Sequence, residues 1–387
     1  MEDQGYLVRG PLALVLQVSR FLGVAPLRWE RQGNGYYIRN SSFMSHYSRI
    51  LLMIMSNGLF TDILSAIGLI LDMFNFGTKK AVRVHTMSSL FIWLVDFVLV
   101  LIVTGLGVYQ GPYRMTRLMQ YLKNIEKVNI RLKNVPGLPT DRWLTIGIVV
   151  ITIGLYLLMG LDFGYYILDA IAHGKEMIVV YIYGCQYFKY GMALFLHLQI
   201  ALVIFQAKSG LQTINDRLRE LVSLREIADC YVTICNVVSD INKENGILLI
   251  VMYVSFVSYL VISNYYLIAA MCSPIGFMRN FNIALQFIWC IYHSMKIFLL
   301  IEPCHRTHEQ MDETRVLASQ LTYRMTRPGQ PLPAELETFQ KQLILYNPTY
   351  SPLSICTLNR SQIAAIVAGV TTYLLIIVQQ RLIDECG

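Results

Sequence analysis

Long apolar stretches alternate along this chain with shorter segments that carry most of its charge. Seven stretches hold about 20 or more mostly apolar residues, which is the helix length that crosses the roughly 30 Å hydrocarbon core of a bilayer. They cover residues 48–71, 86–109, 143–168, 177–206, 246–270, 281–301 and 361–380. The pattern predicts an all-α, polytopic membrane protein with seven transmembrane helices.

Basic residues are distributed unevenly between the two sides of the predicted membrane. The four segments that share a side with the N-terminus hold 22 Lys and Arg residues, against 6 on the other side. Because segments rich in Lys and Arg stay in the cytoplasm, the count predicts a cytoplasmic N-terminus and an extracellular C-terminus. This orientation is the reverse of that of a rhodopsin-like receptor.

The spans and the orientation together divide the chain into four parts. We expect a cytoplasmic N-terminal segment, a six-helix transmembrane bundle that binds the ligand, a cytoplasmic anchor region, and a final helix with a short extracellular tail. Their bounds are 1–45, 46–301, 302–356 and 357–387, with cytoplasmic loops at 110–142 and 207–245 inside the second part.

Apolar residues of the loop 207–245 recur three and four positions apart between charged residues, as in an amphipathic helix. Two interpretations stay open for the helices predicted in the cytoplasmic segments. They either lie on the membrane surface or extend the spans into a cytosolic bundle where subunits meet.

Composition supports the membrane assignment and limits the chemistry. Hydrophobic residues make up 55% of the chain and charged residues 15%, whereas soluble domains carry roughly 45–50% and about 25%. The eight cysteines form no CxxC pair, and the group Cys304, His305 and His308 has no matching second pair of ligands. No P-loop, HExxH, GxSxG or dinucleotide-binding fingerprint is present. We therefore expect no enzyme activity, no catalytic residue, no metal, no cofactor and no nucleic-acid partner.

The last span carries a short motif. Residues 372–379 read Thr-Tyr-Leu-Leu-Ile-Ile-Val-Gln, which resembles the signature of insect gustatory receptors: a Thr-Tyr pair, five apolar residues and a Gln-Phe pair. Gln380 stands where that family has Phe. Residues 335–337 and 356–359 are also similar to the approach to the final span in this family.

The resemblance implies a ligand-gated, non-selective cation channel, usually of four subunits around a pore lined by the final helix. Its partners would be a small-molecule tastant, the permeating cations, membrane lipids, and further subunits in a homotetramer or a heteromer. Its location would be the plasma membrane, typically of a sensory neuron dendrite. Sugar receptors of the family tend to carry Glu where this chain has Leu374. A bitter, repellent or pheromone ligand is therefore favoured over a typical sugar.

Residues of the final helix can be assigned to the implied pore from their helical spacing. Thr372, Ile376 and Gln379 share one face, with an apolar constriction at Ile376 and amide dipoles at Gln379. The predicted pore residues are Thr372, Tyr373, Ile376, Gln379, Gln380, Asp384 and Glu385, the last two as an acidic ring at the outer mouth. The residues alone favour a tail anchor, so the pore assignment depends on the resemblance.

Polar and aromatic residues of spans 2 to 6 fall at similar heights, in the outer half of the predicted membrane, when 1.5 Å is counted per residue. Rings with a few polar groups suit an organic ligand. The predicted ligand-binding residues are Trp93, Asp96, Asp162, Gln186, Tyr259, Asn264, Gln286, Trp289 and His293. An interfacial belt explains many single tyrosines, but deep polar residues are costly unless they face protein or water.

Two other functions compete with a receptor channel. A secondary transporter would use deep charges such as Asp96, Lys189 and Lys296 as substrate or proton sites. The chain has no internal repeat that supports this function, and a structural ion pair between Asp96 and one of the lysines explains the charges as well. A G-protein-coupled receptor conflicts with the distribution of basic residues.

Overall fold

The structure is a computed structural model that describes residues 5–33, 35–56, 87–133, 142–172, 177–220, 223–272, 277–325 and 332–386. Most of these residues are helical. The helices are α1 (Gly10–Phe21), α2 (42–56), α3 (Met87–Tyr109), α4 (Gly111–Lys133), α5 (Arg142–Ala172), α6 (Met177–Arg219), α7 (Leu224–Met271), α8 (Phe277–Met325), α9 (Ala334–Leu345) and α10 (Arg360–Cys386), with a 3-10 turn at Pro352–Ser354.

A small antiparallel sheet forms in the N-terminal segment, where the all-α prediction is wrong. Its strands β1 (Tyr6–Val8), β2 (Leu27–Gln32) and β3 (Gly35–Asn40) lie in the order β1-β3-β2. Side chains of β2 alternate between inward Leu27 and outward Arg28, as the period of two in a strand requires. The alternation was not recognised in the sequence because the strands contain only three or six residues and lie among many charged positions.

Predicted spans 2 to 7 coincide with α3, α5, α6, α7, α8 and α10. The first span is helical up to residue 56, and its remainder lies outside the described residues. Within the described ranges, α5 to α8 are each long and apolar enough to cross a membrane, and α3 qualifies when joined with α4, from which it is bent by 68°. Four to five candidate spans are therefore present in this part of the chain, while seven spans and their orientation stay predictions.

Three helices run far beyond the thickness of a bilayer. α6, α7 and α8 contain 43, 48 and 49 residues, which at 1.5 Å per residue corresponds to roughly 65–75 Å. The segments 207–219, 224–245 and 302–325 are thus continuations of these helices. The predicted loop 110–142 contains the helix α4.

The helix α6 forms the centre of the bundle. In its most apolar stretch 83% of the residues are buried, against 28% for α5, which lies at the periphery. Close packing of α3 on α6 depends on Gly107, since a Cβ atom at this position would lie 2.3 Å from Cδ1 of Leu196. Any larger residue would push the two helices apart or force Leu196 to move.

The final helix α10 packs against α7 and α8. At its start, Arg360 donates to both carboxylate oxygens of Glu302 on α8, with Nη2–Oε1 and Nε–Oε2 distances of 2.6 and 3.0 Å. Two residues further along α10, Gln362 accepts a hydrogen bond at its Oε1 from the hydroxyl of Tyr253 of α7 at 3.1 Å. Polar contacts therefore attach the start of α10 to the two helices beside it.

The segment between α9 and α10 lies against the C-terminal half of α8. The backbone N–H of Tyr350 donates to Nε2 of His308 on α8 at 2.8 Å. Burial, followed by the charge of the neighbouring His305, lowers the pKa of His308 to about 4. His308 is therefore neutral at physiological pH and accepts this hydrogen bond.

Candidate functional site

A buried cavity of about 60 Å³ lies between α3, α5, α6, α7 and α8, large enough for a few water molecules. It is found near the end of the bundle where α5 and α7 finish and α6 and α8 begin. Seven of the nine predicted ligand-binding residues line it: Asp96, Asp162, Gln186, Tyr259, Gln286, Trp289 and His293. Residues from five different helices thus meet at one place.

Two predicted residues remain, Asn264 and Trp93. Asn264 lies on α7, where its side chain donates to the carbonyl of Leu260 on the same helix at 2.7 Å, and it is not among the residues that line the cavity. The side chain of Trp93 lies outside the described residues.

Six further residues line the cavity and were absent from the predicted set: Tyr183, Tyr187, Tyr190, Ile262, Ser263 and Tyr266. Three of them have a spacing that could have revealed them. Tyr183, Gln186, Tyr187 and Tyr190 stand at i, i+3, i+4 and i+7, which is one face of a helix. This face is not recognised in the sequence when its tyrosines are assigned one by one to the interfacial belt.

Asp162 of α5 is the polar centre of the cavity and is only 2% exposed. Its Oδ2 accepts hydrogen bonds from the hydroxyl of Tyr187 at 2.7 Å and from Nε1 of Trp289 at 3.1 Å. Hydrogen bonds to an ionised group are stronger than those between neutral groups. Asp162 therefore ties α5 to both α6 and α8 and fixes the orientation of two rings.

A second carboxylate lies on α3. The hydroxyl of Tyr190 donates to Asp96 and lies 2.5 Å from both carboxylate oxygens. The ring of Tyr190 in turn packs edge-on against Tyr259 with 5.7 Å between centroids, and lies 5.9 Å from that of Trp289. Each carboxylate is thus held by a phenol that belongs to the same aromatic cluster.

The ring of His293 closes one wall of the cavity. It stacks on Trp289 with 5.4 Å between centroids and an angle of 18° between planes, and it lies 5.4 Å from the ring of Tyr259. Among the described residues its Nδ1 atom has no hydrogen-bond partner. A buried polar atom of this kind is costly unless water or a ligand satisfies it.

Two buried lysines lie beside the cavity. The Nζ atom of Lys296, one turn after His293, lies 4.9 and 4.8 Å from the ring centroids of Tyr259 and Tyr292. That of Lys189 lies 3.7 Å from the centroid of Phe97. A cation placed above the face of an aromatic ring is attracted to that ring. Two aspartates and two lysines thus lie in one region of the bundle.

Pore residues predicted on α10 lie on a surface that this single chain leaves open. Thr372, Tyr373, Ile376 and Gln379 are exposed, and Tyr373 also borders a groove between α7 and α10. The side chains of Gln380, Asp384 and Glu385 lie outside the described residues. In the described part of the chain no three His, Cys, Asp or Glu residues are grouped so that they could hold a metal ion.

Comparison with known proteins identifies the family. Residues 12–383 match the family model described as 7tm chemosensory receptor, so the chain belongs to that family. The chain is also similar to the gustatory receptor for sugar taste 43a of Drosophila melanogaster, with 20% identity over 430 residues that cover 94% of this chain and 96% of the relative. The relationship inferred from residues 372–379 is thus confirmed. The family is one of chemoreceptors rather than enzymes, and with its apolar helices the chain is a membrane protein.

Proposed function

We propose that this member of the chemosensory receptor family is a ligand-gated, non-selective cation channel in the plasma membrane of a sensory neuron. Its tastant binds in the cavity built around Asp162, and four subunits place their α10 helices around a pore. This proposal rests on family membership, on the cavity, and on the attachment of α10 to two helices that line that cavity.

The lining of the cavity favours a small, uncharged and hydroxylated ligand. Carboxylate oxygens of Asp96 and Asp162 accept hydrogen bonds from hydroxyl groups, and the faces of Trp289 and Tyr259 suit the apolar face of a ring-shaped ligand. The two lysines offset the two carboxylates, which gives a fully charged ligand no advantage. This argument departs from the expectation drawn from Leu374, and it agrees with the sugar ligand in the name of the Drosophila relative.

A bitter amine is the second candidate, because two carboxylates line the cavity while neither lysine does. Calcium imaging of cells that express the chain, with neutral monosaccharides and polyols tested against basic bitter compounds, separates the two. Responses to the neutral ligands alone support the proposal. Responses to the amines alone favour the second candidate.

In this proposal the ligand binds best to a state of the protein in which the cavity is wider. A ligand that fits only a wider state shifts the protein toward that state by its difference in affinity. α7 and α8 both line the cavity and both pack against α10. A displacement of α7 and α8 at the cavity is therefore transmitted to α10. The ion pair between Glu302 and Arg360 joins α8 to the start of α10.

A substitution in the cavity tests its role. Asp162→Asn keeps the shape of the side chain but removes the charge that holds Tyr187 and Trp289, and we expect a higher agonist concentration for half-maximal response with unchanged surface expression. Asp312→Asn is the matched control, since Asp312 is an exposed α8 residue paired with Arg315. Unchanged responses for Asp162→Asn would place the ligand elsewhere.

A separate experiment tests the pore. Gln379→Leu removes an amide that can replace water around an ion, so it should lower current while leaving surface expression intact. Cysteines placed at 376, 379 and 380 should become accessible to a charged thiol reagent that blocks current from one side. Robust currents without any block would mean that other helices form the pore.

Secondary transport is the alternative activity, and the buried charges Asp96, Lys189 and Lys296 are its basis. Unitary current steps in membrane patches support a channel. Ligand flux with a fixed ratio of ligand to coupled ion, and without unitary steps, favours the transporter.

A further inference from the structure

A second, smaller cavity lies between α4, α6 and α7, beside the corner at which α3 turns into α4. Its volume is about 20 Å³, and its polar lining consists of Arg114, Tyr121, Gln199 and Asn245. This volume is enough for one water molecule or one monatomic ion. The cavity is separate from the one around Asp162, and the two have no lining residue in common.

Arg114 brings an uncompensated charge into this cavity. The residue is 5% exposed, and its Nη2 atom donates to the carbonyls of Val24 and Gly107 at 2.7 and 3.3 Å. Its Nε and Nη1 atoms have no hydrogen-bond partner among the described residues, where Arg114 also forms no ion pair. An isolated buried charge is strongly unfavourable unless a counter-charge or hydrogen bonds compensate it.

Two other polar residues of the lining, Tyr121 and Gln199, also have groups that are unsatisfied within the described ranges. In the part of the chain that the structure describes, the hydroxyl of Tyr121 and the carboxamide of Gln199 have no hydrogen-bond partner, and both residues are buried. Glu244, the neighbour of Asn245 in the chain, is paired instead with Arg117 and accepts from the hydroxyl of Tyr113. The residues that line the cavity thus provide a cation and several N–H and O–H donors but no carboxylate, while Asp240 and Glu244 act on Tyr121 from outside the lining.

We propose that this cavity binds one small inorganic anion, of the size of chloride, which accepts hydrogen bonds from Arg114, Tyr121 and Gln199. A water molecule fits the space, but it does not neutralise the guanidinium. Phosphate and sulfate exceed the available volume. The bound anion joins α4 to α6 and so stabilises the corner that Arg114 holds through the carbonyls of Val24 and Gly107.

The test measures thermal unfolding of the purified full-length receptor in increasing chloride, with gluconate keeping the ionic strength constant. Specific binding to the folded state raises the Tm with the logarithm of the chloride concentration once this exceeds the Kd, by roughly 2 °C at a tenfold excess for a chain of this length. Sulfate should not replace chloride. An equal Tm in chloride and gluconate, or an equal rise in sulfate, would overturn the proposal.

Substitutions assign the effect to the cavity. Arg114→Gln should abolish the chloride dependence, whereas Arg117→Gln, one turn along the same helix and outside the cavity, should keep it. Tyr121→Phe serves if Arg114→Gln does not fold: it removes a single donor and should raise several-fold the chloride concentration above which the Tm begins to rise. A chloride dependence in Arg114→Gln or Tyr121→Phe equal to that of the unsubstituted chain would contradict the proposed site.

Discussion

Replacing Trp289 by Phe tests whether the hydrogen bond to Asp162 prepares the cavity for its ligand. The substitution keeps an aromatic ring at a residue that is 6% exposed, but it removes the Nε1–H donor that lies 3.1 Å from Oδ2 of Asp162. A hydrogen bond to a charged group contributes about 1.5–3 kcal/mol. Because Asp162 keeps its shorter bond from Tyr187, we take the lower end of this range.

A loss of about 1.5 kcal/mol corresponds to roughly a tenfold change in an equilibrium constant. We therefore expect the agonist concentration for half-maximal response to rise about tenfold in Trp289→Phe, with little change in maximal current. Whole-cell currents or calcium imaging measure the dose–response curve. Surface biotinylation shows whether the variant reaches the membrane in normal amounts.

The matched control is Trp29→Phe, the same substitution in the N-terminal sheet. The ring of Trp29 packs edge-on against Tyr36 at 5.1 Å, and within the described residues its Nε1 atom has no hydrogen-bond partner. This variant loses ring area but no hydrogen bond, so its dose–response curve should shift little. An unshifted curve for Trp289→Phe, or equal shifts for both variants, would refute the reasoning.

Two further predictions concern packing and pH. Gly107→Ala should lower the stability of the receptor by about 1–3 kcal/mol through the contact with Leu196, whereas Gly105→Ala, with open space around its Cα, should not; equal melting temperatures in detergent would contradict this. His308 has its pKa lowered from its ordinary value of 6.5 to about 4, so the unfolded chain takes up a proton first as pH falls. Stability should therefore be full above about pH 6.5 and decrease toward pH 4. His308→Gln retains an acceptor for the N–H of Tyr350 but does not titrate, so its melting temperature should fall less between neutral pH and pH 5. Identical pH profiles for the two proteins would remove His308 as the cause.

Hydropathy predicted the helices of the bundle because a bilayer imposes one simple requirement, a sufficiently long apolar stretch. The cavity followed from the same requirement: Asp96, Asp162 and His293 are too polar to face lipid, so they had to face one another or water. Asn264 breaks this rule because an amide can satisfy itself on the carbonyl of its own helix, one turn earlier.

What the sequence did not reveal depends on contacts between distant segments. The hydrogen bond from Arg114 to the carbonyl of Val24 joins residues 90 positions apart, and the chain pattern around Arg114 shows only one more cation in a basic segment. The N-terminal sheet was hidden for a similar reason, because the pairing of Leu27 with Asn40 requires a turn between two strands of only six residues each. A pattern of single residues does not encode such pairs.

The unbroken length of α7 restricts how this receptor can change in evolution. One continuous helix presents Tyr231 toward the segment after α9, Tyr253 toward α10 and Tyr259 toward the cavity. An insertion of one residue between Tyr231 and Tyr253 would rotate everything beyond it by about 100° and advance it by about 1.5 Å. If the N-terminal part of α7 kept its position, the contacts of Tyr253 and Tyr259 would be lost. If the C-terminal part kept its position, the contact of Tyr231 would be lost. Lineages of this receptor should therefore tolerate side-chain replacements along α7, while insertions and deletions persist only in the connections between helices.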